Sequence, residues 1–125
     1  MKNILEYNSY DTISSLKNQI LKIFPYVKIV ANKIYASTLI NKSGNPIVRI
    51  DSKNLIKALL LEVNENSVTI KSIVNKTSDR RLIDELIKIF ETLPNNFKIV
   101  IDQDVSGGFW DKIIQNYPNL NWTKL

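Results

Sequence analysis

The 125 residues include neither histidine nor cysteine. The usual general base, the commonest metal ligand and all thiolate chemistry are therefore excluded at the outset. Any catalysis falls to carboxylates, hydroxyls, lysines, tyrosines or backbone groups, and no metal site is expected. The densest grouping of such residues is Asp102-Gln103-Asp104-Val105-Ser106-Gly107-Gly108, directly after the apolar run FKIVI. Open α/β sheets tend to bind ligands just beyond the carboxyl ends of their strands. Asp102 and Asp104 alternate along an extended chain, so both can face one side, toward a cationic amine. Ser106, Gly107 and Gly108 can present amides to an anion. The same residues also suit a bland role. Asp or Ser can cap the following helix, and paired glycines allow a sharp turn that packs Phe109 and Trp110 under a sheet. Trp110 is thus a candidate substrate contact or a core aromatic, and Trp122 is a core or edge aromatic.

The elements that must position these groups follow from periodicity. Ile13, Leu16, Ile20, Ile23 and Phe24 recur at helical spacing, with Asp11 as N-cap and Pro25 as stop. Residues 26–31 and 34–40 have strand composition. The turn Asn41-Lys42-Ser43-Gly44-Asn45-Pro46 follows, and then a strand over 47–50. Residues 55–63 and 68–74 flank the hairpin loop Asn64-Glu65-Asn66-Ser67. In the second arm Val68, Ile70 and Ser72 point one way, and Thr69, Lys71 and Ile73 the other. A second helix over 78–93 carries Leu82, Ile83, Leu86, Ile87, Phe90 and Leu93 on one face, with Ser78 as cap and Asp79 in its first turn. FKIVI then suits a strand buried on both faces, a helix follows over 108–117, and residues 120–125 suit a closing strand. Strand, helix and strand make a right-handed βαβ crossover with parallel strands. The chain is expected to be one α/β domain over residues 1–125, with a mixed sheet and no internal repeat.

This order of elements resembles the GNAT superfamily of acyl-CoA N-acyltransferases, most closely from Leu55 to Trp122. ALLLEVNENSVTIKSIV looks like that family's central hairpin, DRRLIDELIKIFETL like its cofactor-side helix, and FKIVIDQDVSGGFWDKIIQNYPNLNW like its strand–loop–helix. The resemblance implies acetyl-CoA as cofactor and an amine as acyl acceptor. It also implies a glutamate base on the hairpin, for which Glu62 is the candidate, and a tyrosine acid on the last helix. The aromatic pair there is Phe109-Trp110, and an indole supplies no such proton, so Tyr117 is the available acid. The family holds pyrophosphate on a Gln/Arg-x-x-Gly-x-Gly/Ala loop, whose glycines let backbone amides approach the phosphates. With the helix registered on Leu86, those positions fall on Ser78, Arg81 and Ile83. The chain has no glycine between Gly44 and Gly107. Lys76, Arg80 and Arg81 can form an anion ring in place of the glycine loop; alternatively the arginines point into solvent or pair with acids such as Asp84. The departures suit a second expectation, a non-catalytic protein on the same fold that binds another macromolecule, such as a protein partner.

Composition narrows the partners. The net charge is +5, but the lysines are scattered and the only arginines are Arg49, Arg80 and Arg81, so nucleic acid is not the expected partner. No apolar stretch has the ~20 residues of a membrane span, and the first residues lack a signal peptide's apolar core, so a cytoplasmic protein is expected.

Overall fold

A computed structural model of the chain describes residues 9–49, 54–79, 81–102, 104 and 107–125. Its elements are α1 (Ser9–Ile20), β1 (Tyr26–Val30), β2 (Lys33–Ser37), β3 (Lys57–Val63), β4 (Ser67–Asn75), α2 (Leu82–Phe90), β5 (Lys98–Ile101), α3 (Phe109–Asn116) and β6 (Asn121–Lys124). The six strands form one sheet in chain order, β1 to β6. The first four pair antiparallel; β4, β5 and β6 pair parallel. The expected mixed sheet and parallel crossover are present, and a second helical crossover joins β5 to β6.

Register shows which residues share a face. Val27 and Ile29 align with Ala36 and Ile34, then with Leu59 and Leu61, with Ile73 and Ile70, and with Ile101 beside Ile70. These residues belong to one apolar core with Leu16, Ile20 and Phe24 of the α1 region, Leu82, Leu86 and Phe90 of α2, and Trp110 and Ile113 of α3. All three helices therefore cover the same face of the sheet.

Several boundaries differ from the sequence expectation, for identifiable reasons. In β4 the register skips Lys71: Ile70 opposes Leu61 and Ser72 opposes Leu60. This one-residue bulge resets the alternation, so Ile73 joins Val68 and Ile70 on the helix side while Ser72 turns away. The strand expected over 47–50 is not formed by residues 47–49, and Ile50 lies outside the described residues. Pro46 makes only an isolated bridge to Ile40, and Ile47 and Val48 instead pack on Ile56, Ala58 and Val74. That segment shields one end of the helix-free face. Asp11 lies within the first turn of α1 rather than before it. Helix α2 is shorter than expected because Asn75, Thr77, Asp79 and Arg81, on its approach, are taken up by side-chain hydrogen bonds.

Candidate functional site

Residues 75–81 were the candidate anion site. The first turn of α2 has no side-chain cap at Arg81, and Ser78 is exposed rather than capping. Asp79 instead holds the residue before the helix: its carboxylate accepts the Arg81 backbone N–H at 3.0 Å and the Arg81 guanidinium at 3.0 and 3.3 Å. It also accepts the ammonium of Lys57 from β3. Hydrogen bonds from the Arg81 guanidinium, from Lys57 and from the Arg81 N–H hold the Asp79 carboxyl well below the usual carboxylate range. An anion thus already sits at the start of α2, and it belongs to the protein. Arg81 pairs with Asp79 rather than Asp84. Lys76 is exposed and its backbone N–H bonds Ile56; Arg80 lies outside the described residues.

The carboxyl ends of β4 and β5 hold the next group. After Ile70, β4 bulges while β5 ends at Ile101, so the two strands part here. The Lys71 ammonium donates to Asp102 at 2.7 Å and lies 3.9 Å from Glu62. The Asp102 hydrogen bond and charge, with a smaller contribution from Glu62, raise the Lys71 pKa. Asp104 does not join Asp102. It pairs at 3.1 Å with Lys124, which also donates to Asp111 at 2.7 Å. The cationic amines that these aspartates face are therefore the protein's own lysines.

The candidate base and acid lie apart. Glu62 aligns with Lys33 and Thr69, on the face without helices. Tyr117 follows α3 on the opposite face, packs against the main core and donates its hydroxyl to Asp84 of α2 at 2.8 Å. The sheet separates them, so they do not share one proton-transfer site. Trp110 is 6% exposed and meets Phe109 edge-on at 5.1 Å and Trp122 at 6.3 Å. It is a core aromatic. Gly107 and Gly108 both have positive φ, at 69° and 112°, so the sharp turn before α3 does require glycines. No side chain caps α3; Ser106, the proposed amide donor beside them, lies outside the described residues.

No known family, curated protein or solved structure matches the chain. Among the described residues there is no cluster of metal-ligating side chains and no helix long and apolar enough to cross a membrane.

A feature that sequence reasoning missed lies at the other end of the parallel strands. Helices α2 and α3 both run antiparallel to β5 and β6, and each returns to the sheet through a Pro-Asn turn, Pro94-Asn95 and Pro118-Asn119. Between the turns is a pocket of about 280 Å³ over a floor that includes Phe90, Leu93 and Phe97. Its rim carries Glu91, Tyr117 and the exposed asparagines Asn95, Asn116, Asn119 and Asn121. The signal was the repeated pattern of helix, Pro-Asn and strand, visible in LPNNFKI and YPNLNWT.

Proposed function

We propose that the chain is a non-catalytic binding protein that contacts a protein partner through the helix-free face of its sheet. The observation that carries this reading is that the candidate catalytic groups already have partners within the chain, while apolar side chains of the helix-free face stay partly exposed around Glu62. Glu62, Asp102, Asp104, Arg81 and Tyr117 are each held by a partner within the chain. The open face keeps a partly exposed centre of Tyr35, Leu60 and Val100, with Val30 47% exposed beside it. Lys28, Lys33 and Lys98 surround that centre. An apolar and aromatic centre within a polar rim is the usual composition of a protein interface.

The test is affinity capture from the source cell, followed by reconstitution with the captured protein. Leu60→Arg, in the centre of the open face, should weaken the reconstituted complex at least about tenfold, the size of one well-placed contact. Lys112→Glu, on α3, should leave it unchanged. Equal sensitivity to both substitutions removes the assignment to this face. A second reading, a CoA-dependent acyltransferase, draws on the bulge at Lys71, where β4 and β5 part. It requires a calorimetric response to acetyl-CoA at millimolar concentration that Arg81→Ala and Arg80→Ala diminish.

A further inference from the structure

We infer that the pocket between the two Pro-Asn turns binds a small organic cation, a guanidinium or alkylammonium group. The pocket is independent of the helix-free face and lies on the helix side of the sheet. Three features of its walls favour positive charge.

The first is the direction of the helices. Both α2 and α3 end at the pocket, and each helix carries roughly half a negative charge at its C-terminus. Helix α3 has no basic residue in its last turn; Lys88, in the last turn of α2, is not part of the pocket wall.

The second is composition. Within a chain of net charge +5, none of the described residues lining this pocket is basic, and one of them, Glu91, is acidic. Glu91 stands at the C-cap of α2, where the dipole disfavours a carboxylate. It therefore works against the helix it ends. A cation in the pocket supplies the missing compensation. Glu91 is also close enough to Tyr117 to oppose the ionisation of its phenol, after the larger effects of the Asp84 hydrogen bond and of burial.

The third is the supply of acceptors. Asn95, Asn116, Asn119 and Asn121 ring the opening, and no hydrogen bond within the described protein engages their side-chain amides. Their carbonyl oxygens can take the N–H groups of a guanidinium or ammonium. The apolar floor suits the short alkyl stem such a group carries. A phosphate or carboxylate ligand would meet the same walls with its charge unmatched.

The probes are butylguanidinium and butylurea, which share a shape and differ in charge, titrated into the 125-residue chain and followed by amide chemical shifts. Butylguanidinium should give saturable shifts at Asn95, Tyr117, Asn119 and Asn121, and butylurea should bind at least about tenfold more weakly, the value of one charge-assisted contact. Glu91→Gln should remove most of that preference. Asn119→Lys should abolish butylguanidinium binding, and both positions are exposed, so neither change disturbs the core. Capped arginine amide separates the sources: binding as tight as butylguanidinium assigns the cation to a partner's side chain, and binding of the free probe alone assigns it to a small molecule. Equal binding of butylurea overturns the proposal. So do shifts confined to the Glu62–Asp102 or Asp104–Asp111 pairs, or no saturable shift at millimolar probe.

Discussion

At the carboxyl ends of the parallel strands, charges meet partners from the same chain: Lys71 with Asp102 and Glu62, and Lys124 with Asp104 and Asp111. At the amino ends, Glu91 and four asparagines face a pocket without such partners among the described residues. The topology alone points to the first end as the place for a ligand, because open α/β sheets usually bind there. The side chains point to the second. Position in a fold makes a site available; whether the polar groups already have partners decides whether a ligand has anything to gain by binding.

The comparison can be broken from its most buried member outward. Trp110 begins α3 beside the carboxyl-end loop and packs on Trp122 in the core. If it is structural, Trp110→Ala should cost about 3–5 kcal/mol of stability in denaturant unfolding. A stable Trp110→Ala protein would restore the tryptophan as a ligand contact. A smaller loss is expected from Asp79→Asn, which removes the carboxylate shared by the Lys57 ammonium and by the guanidinium and backbone N–H of Arg81. The Asp79 pKa is depressed in the folded protein, so its contribution is present above the unfolded value of about 4. It is lost as pH falls through the folded value. Wild-type and Asp79→Asn stabilities should therefore differ at neutral pH and converge in strong acid. Convergence on going to alkaline pH would contradict the clamp.

Tyr117→Phe should have a smaller effect with the opposite pH dependence. The hydrogen bond to Asp84, first, and then burial raise the phenol pKa above its ordinary value of 10.0. Stability from this bond is complete below the unfolded pKa and is lost as pH rises through the folded one. The gap between wild type and Tyr117→Phe should thus be constant near neutrality and close in strong alkali.

Much of the fold was legible in the sequence because apolar spacing reports burial directly. The α2 stripe from Leu82 to Phe90 lies where periodicity places it. The run at Ile99 to Ile101 is a strand, but it is buried on the helix side only, with Lys98 exposed and Val100 partly exposed on the face that no helix covers. The bulge at Lys71 was not legible, since one extra residue changes pairing without changing composition. Nor was the fate of Ile47 and Val48, which have strand composition but pack on the sheet instead of joining it. The candidate site suffered from the same limit. Residue type suggested what Glu62, Tyr117, Asp102 and Asp104 can do chemically, but their partners come from distant segments: Asp102 finds Lys71, Asp104 finds Lys124 and Tyr117 finds Asp84. No local spacing encodes those meetings.

The smallest expected effect is the most discriminating between the two ends. Acids at the carboxyl ends are paired, so neutralising one of them removes an attraction and lowers stability. Glu91 faces the C-terminal end of α2 with no basic partner among the described residues of the pocket wall. Neutralising it removes a repulsion. Glu91→Gln should accordingly raise stability by about 0.3–1 kcal/mol at low ionic strength, the usual size of a charge at a helix terminus, and the gain should shrink as salt screens it. Denaturant unfolding at low and high salt measures this directly, and Asp102→Asn provides the contrast with its expected loss. A stabilising Glu91→Gln that also loses its preference for butylguanidinium would show a residue kept at a cost to the helix it ends. A destabilising one would mean that Glu91 has a partner of its own, and the amino end would then be no different from the carboxyl end.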